Sequence, residues 1–106
     1  YIHARNIAAA VLFLLEKGNI GESYNLTGEE EISNLDMAQM IANVIGKPLN
    51  YEMVDFHSSR PGHDLRYGLD GSKMTDMGWK LPIDFKKSLK NTVKWTLENK
   101  EWLEEI

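Results

Sequence analysis

The sequence predicts one small α/β domain, α+β in character, made of helices with a few short strands. Three observations carry this. The chain has 106 residues, room for one core and not two. Stretches with apolar residues at helical spacing alternate with shorter stretches in which every second residue is apolar. Gly and Pro fall between several of these stretches, as at Gly18, Gly28, Gly46 and Pro48.

The first helix is expected over Asn6 to Lys17. Ile7 to Leu15 is an unbroken apolar run, with Asn6 placed to cap its start and Gly18 its end. A helix apolar all round must be covered on most sides. It is therefore the centre of the domain, or one face meets a partner outside this chain. Glu22 to Thr27 alternates Tyr24 and Leu26 against polar neighbours and predicts a strand ending at Gly28. Glu29, Glu30 and Glu31 read as a solvated turn.

The second helix is expected from Asn34 to Ile45, with an apolar stripe that includes Leu35, Met37, Ile41 and Val44. Ser33 or Asn34 caps it, Asp36 suits its positive end, and Gly46 and Pro48 stop it. Leu49 to Asp55 alternates Leu49, Tyr51 and Met53 and predicts a second strand. His57 to Asp64 reads as a polar loop, and Tyr67 and Leu69 as a short extended piece. Ser72 to Met77 predicts one or two helical turns capped by Asp70. A last helix runs from Asp84 to Asn99 with Phe85, Leu89, Val93, Trp95 and Leu97 facing inward.

Composition narrows the function. Hydrophobic residues are 42% and charged residues 26%, an ordinary globular balance. The absence of cysteine excludes a disulfide scaffold and a thiolate zinc site, and it fits a cytoplasmic setting. A net charge of −4 disfavours a nucleic-acid partner. The apolar run Ile7–Leu15 is about half of what a membrane span needs, so no membrane partner is expected. The chain starts at Tyr1 and not Met, so it is expected to be a piece of something longer.

The loop Arg60-Pro61-Gly62-His63-Asp64-Leu65-Arg66-Tyr67 concentrates the chemistry. A guanidinium fork matches phosphate oxygens, and a Pro-Gly turn stiffens the loop and brings backbone close to a ligand. The same residues also suit a turn with surface ion pairs, from Arg60 or Arg66 to Asp55, Asp64 or Asp70. Such pairs are common and weak, and the residues alone favour that plainer account. Asn34 at a helix start could present its amide to a base edge or act as a cap. His57 and His63 with Asp55 and Asp64 lack metal-ligand spacing. No nucleophile elbow surrounds Ser58 or Ser59. The lysines at 86, 87, 90 and 94 read as a solvated face. Trp79, Trp95 and Trp102 read as core residues rather than a stacking platform. Neither Gly-x-x-Gly-x-x-Gly nor Tyr-x-x-x-Lys is present, so nothing here is built to hold a nicotinamide or abstract a proton.

Arg60-Pro-Gly-His63-Asp64-Leu-Arg66-Tyr67, then Gly78-Trp79, Thr92-Val-Lys-Trp95 and Asn99-Lys-Glu-Trp102, resembles the C-terminal part of the dTDP-glucose 4,6-dehydratases. These are a branch of the extended short-chain dehydrogenase/reductase (epimerase/dehydratase) family. Gly21-Glu22-Ser-Tyr24-Asn25 and Asn34-Leu35 resemble further pieces of the family pattern. The resemblance covers nearly the whole chain, and Arg-Pro-Gly-His-Asp with Arg-Tyr is its most specific part. It implies a Rossmann domain upstream that binds NAD and carries Tyr-x-x-x-Lys, and a parent that is a homodimer. It implies oxidation at C4 of a nucleotide-diphosphate sugar, water loss across C5 and C6, and hydride return to C6. It also implies that this fragment is inactive alone and that Asn34, Arg60, Gly62 and His63 contact the nucleotide diphosphate. The sequence departs from the pattern at Asn6, where the family usually carries an acid, and is one residue short between Lys73 and Gly78. Tyr-Ile-His at the start also resembles GDP-mannose dehydratases. That leaves another nucleotide-sugar dehydratase or epimerase, or a non-catalytic interaction module, as alternatives.

Overall fold

The computed structural model describes residues 1–104. It contains six helices: α1 (Ala4–Lys17), α2 (Asn34–Ile45), α3 (Phe56–Ser59), α4 (Ser72–Asp76), α5 (Phe85–Glu98) and α6 (Glu101–Glu104). The three long helices and the turn at α4 lie where periodicity predicts them, α1 beginning two residues earlier than expected. Ser33 caps α2, its Oγ accepting from Asp36 N at 3.1 Å and donating to Asp36 Oδ2 at 2.7 Å. Gly46 closes α2 in the left-handed region at φ 76°. Asp84 caps α5 by accepting from Lys87 N at 2.9 Å. Gly71, not the expected Asp70, is the N-cap of α4, and Asp70 Oδ1 accepts from Ser72 N at 2.9 Å from one position before it.

No strand forms among the described residues. Glu22–Thr27, Leu49–Asp55 and the Tyr67–Leu69 piece run without a β-ladder. Alternation fixes which side chains share a face, but a strand exists only when another backbone takes its N–H and C=O groups. Tyr51, Met53 and Val54 remain exposed. The chain is α-helical with extended connections, and the expected short strands are corrected. Residues 57–59, expected as the start of a loop, lie instead in a single helical turn, Phe56–Ser59. Asp55 nucleates it, Oδ2 accepting from Ser58 N at 2.8 Å.

Asn6 is not a cap. His3 occupies that position, its Nδ1 accepting from Arg5 N at 3.1 Å. Asn6 lies inside α1, only 4% exposed. Its Nδ2 donates to Ile83 O at 2.9 Å and its Oδ1 accepts from Ile83 N at 3.2 Å. One amide thus satisfies both backbone groups of the residue two before α5 and ties α1 to α5. Gly28 is pressed against the chain start, where a Cβ would fall 2.0 Å from Tyr1 O. Glu29 accepts from Phe85 N at 2.7 Å, so part of the acidic stretch is structural.

The core is small: Ala10, Met37, Ala42, Met74, Phe85 and Val93, with α2 packed on α5. Met74 is its largest fully buried side chain. Phe13 packs on Trp79, ring centres 5.3 Å apart. Trp95 and Trp102 do not join the core. They tilt against each other at 5.9 Å and stay largely exposed, as does Leu97. Along α1 only Asn6 and Ala10 are buried, while Val11, Leu12 and Leu15 face outward, Leu15 at 78% exposure. Of the two arrangements open to an all-apolar helix, burial at the centre is therefore not the one adopted. The accessible surface is 8738 Å², against about 6,000 Å² for a compact monomer of this size. The radius of gyration is 16.9 Å, against about 13 Å. No helix among the described residues is long and apolar enough to cross a membrane.

Candidate functional site

The loop that follows α3 is shaped by its first four residues. Arg60 ends α3, its N–H donating to Phe56 O at 2.8 Å. Pro61 and Gly62 then reverse the chain, and His63 N donates back to Arg60 O at 3.3 Å. Gly62 has φ 80°, the left-handed value that the third residue of a type II turn requires and that a Cβ opposes. The turn sets Arg60 and His63 at its two ends, one hydrogen bond apart. Both side chains are exposed, as is every residue from 57 to 70.

The second half of the loop is tethered. The Arg66 guanidinium grips Glu31 with two parallel bonds, Nε to Oε1 at 2.5 Å and Nη2 to Oε2 at 2.7 Å. Arg66 holds the Glu31 carboxyl below the usual carboxylate range, chiefly through this hydrogen bond, and its own guanidinium is pushed up by the same contact. Further on, Asn25 Nδ2 donates to Asp70 O at 3.2 Å. The Ser72 backbone N–H lowers the Asp70 carboxyl. Lys73 Nζ donates to Ser23 O at 2.9 Å, pairs with Glu22 and sits 4.4 Å over the Tyr24 ring. The loop is therefore fixed at its far end to segment 22–25 and in its middle to the entrance of α2.

The expected ion pairs from Arg60 or Arg66 to Asp55, Asp64 or Asp70 do not form among the described residues. Arg66 uses Glu31, 35 positions away, which no local pattern reveals. Arg60 is left with no carboxylate partner among the described residues. Asn34 is the first residue of α2, exposed, with Oδ1 accepting from the Tyr1 hydroxyl. That use leaves its Nδ2 as the group free to donate outward. Arg60, Gly62 and His63 share one turn. Asn34 is linked to that loop through Glu31, three residues before it, and Arg66.

Two concavities, one of about 10 Å³ beside Tyr1 and Ser88 and one of about 510 Å³ between α1 and α5, are lined by none of these four residues. Their face is open in this chain. Among the described residues no cluster of His, Asp or Glu could hold a metal ion. A nicotinamide dinucleotide site does not fit either, because no described strand leads through a glycine-rich loop into a helix.

No family model matches the chain. Individual proteins do. A dTDP-glucose 4,6-dehydratase of Escherichia coli is 33% identical over 116 aligned residues, spanning 100% of this chain and 32% of that protein. One from Xanthomonas campestris is 34% identical over 106, spanning 92% of this chain and 30% of that protein. The crystal structure of dTDP-glucose 4,6-dehydratase from Bacillus anthracis in complex with NAD superposes with TM-score 0.79 at 30% identity, covering 95% of this chain and 32% of that one. The chain thus spans about a third of the length of the relatives it matches. It is similar to the dTDP-glucose 4,6-dehydratases in sequence over its whole length and in fold over 95% of it.

Proposed function

We propose that this chain is the C-terminal, substrate-holding domain of a dTDP-glucose 4,6-dehydratase, an NAD-dependent lyase. It grips the nucleotide diphosphate of the sugar substrate. The observation that carries the reading is the state of the two loop arginines. Arg66 is neutralised by Glu31 and serves as an anchor, whereas Arg60 projects from a stiff turn with no carboxylate partner among the described residues. A guanidinium without a partner, beside a turn that exposes backbone, is suited to a pair of linked phosphoryl groups.

In this reading Arg60 forks across diphosphate oxygens. His63 donates to a phosphate or ribose oxygen from the other end of the turn. Gly62 keeps that edge of the turn low enough for the ligand to approach. Asn34 offers its Nδ2 toward the nucleoside from the first turn of α2, whose positive end favours an anion. All four act on the nucleotide, remote from the sugar carbons that react. Contacts of this kind orient the substrate and hold the site closed.

Nothing among the described residues fits NAD, so we place the cofactor in an upstream Rossmann domain and derive no redox step from these residues. The outward apolar face of α1 and the surplus of accessible surface suit a chain that packs against further structure. We place the parent in the cytoplasm as a homodimer. The fragment by itself is inactive. The test is a thermal-shift comparison of dTDP-, UDP- and GDP-glucose on the full-length parent. The reading expects the dTDP-sugar to give the largest stabilisation. A preference for the GDP-sugar, or no shift with any of the three, overturns it.

A further inference from the structure

A second concavity, lined by none of the residues of the Arg60 turn, is the groove of about 510 Å³ between the first turn of α1 and the outer side of α5. Its volume is within the range of small-molecule sites. His3 and Arg5 line it from α1, and Asn91, Lys94, Trp95 and Glu98 from α5. Arg5 and Lys94 belong to no ion pair among the described residues. Glu98, one turn on from Lys94, is the single carboxylate in the lining and does not pair with it. His3 accepts from Arg5 N at Nδ1, so in its neutral form its proton sits on Nε2 and makes it a donor. Ser88, in the wall, is buried with an Oγ that has no partner. Trp95 is 50% exposed and backed by Trp102, which leaves an indole supported on one side.

We propose that this groove binds a phosphate monoester carried on a flat ring. A guanidinium, an ammonium, an imidazole and an amide line one groove, and groups of this kind suit the three terminal oxygens of a monoester. The indole takes the ring by stacking. A polyanion is disfavoured by the chain's net charge of −4, so the ligand is small. The site uses none of the four residues assigned to the nucleotide diphosphate, and it does not depend on that assignment.

The probe is phenyl phosphate, titrated calorimetrically into the full-length protein alongside inorganic phosphate and phenol. The expected result is saturable binding of phenyl phosphate that weakens tenfold or more in Arg5→Gln/Lys94→Gln. Trp95→Leu should weaken phenyl phosphate and leave inorganic phosphate unchanged. Arg60→Ala should leave both unchanged, which separates this groove from the diphosphate site. These substitutions are at exposed positions, and unaltered circular dichroism confirms that each variant folds. The proposal is overturned by an absence of saturable binding, by binding that survives the Arg5/Lys94 double substitution, or by binding lost with Arg60→Ala.

Discussion

Asn6→Ala isolates the contact that ties α1 to α5. The side chain is 4% exposed, and its amide supplies two hydrogen bonds to the backbone of Ile83, at 2.9 and 3.2 Å. Alanine removes both and leaves the Ile83 N–H and C=O facing a part-buried void. Each unsatisfied group costs about 1–3 kcal/mol, and water entering from the adjacent open groove recovers some of it. The expected loss is about 2–4 kcal/mol, or roughly 30- to 1,000-fold in a local opening equilibrium. Hydrogen exchange followed by mass spectrometry on the full-length protein reads it directly at the Ile83 amide. Protection of the peptide spanning residues 81–85 should fall by that factor. Asn6→Asp gives the internal control. An ionised carboxylate can still accept from Ile83 N but sets a charged oxygen against Ile83 O in a buried site, so at neutral pH its loss should be at least that of alanine, and it should shrink where the acid is protonated and can donate to Ile83 O. If exchange at Ile83 is the same in Asn6→Ala as in the wild type, the amide bridge does not hold the two helices together.

Three further outcomes follow from the loop. Gly62→Ala forces a Cβ into φ 80° and should weaken dTDP binding several-fold through a strain of about 1–2 kcal/mol, measured by calorimetry; unchanged affinity would mean that the turn is not held in the bound state. The Glu31 carboxyl is lowered in the folded chain, so its pairing with Arg66 stabilises fully above the unfolded carboxylate value of about 4.3 and is lost as pH falls through the lower folded value. Melting temperatures of wild type and Glu31→Gln should therefore differ by a constant amount from neutral pH down to about 4.5 and converge below it; a gap that persists undiminished into stronger acid contradicts the ion pair. Arg66→Ala should raise proteolytic nicking between residues 60 and 70, because it frees the middle of the loop from the entrance of α2; an unaltered digestion pattern argues that the loop is held by other contacts.

Helices were legible because their signals are local. Asn34–Ile45 carries its cap, its apolar stripe and its stop within fourteen consecutive positions, Ser33 to Gly46, and the structure places it at those bounds. Strands were not legible as strands. Leu49, Tyr51 and Met53 alternate correctly, yet no described backbone pairs with theirs, and sequence alternation says nothing about the presence of a partner. Asn6 misled for a related reason. An asparagine before an apolar run reads as a cap, but the partner that buries it, Ile83, lies 77 positions on. The candidate site divides in the same way. The Arg60–His63 turn was visible in Pro61-Gly62, whereas the Glu31–Arg66 pair that fastens the loop spans 35 positions. That pair also decides which arginine remains available, and a single sequence carries no signal for it.

The proposed role of Arg60 is tested most directly by kinetics of Arg60→Ala in the full-length parent, with dTDP-glucose as the proposed substrate. Loss of one charged hydrogen-bonding group to the diphosphate should lower kcat/KM by about 1.5–3 kcal/mol, roughly 10- to 150-fold, with circular dichroism unchanged. A variant that retains wild-type kcat/KM at limiting substrate and wild-type kcat at saturation would show that the guanidinium at position 60 does not hold the substrate.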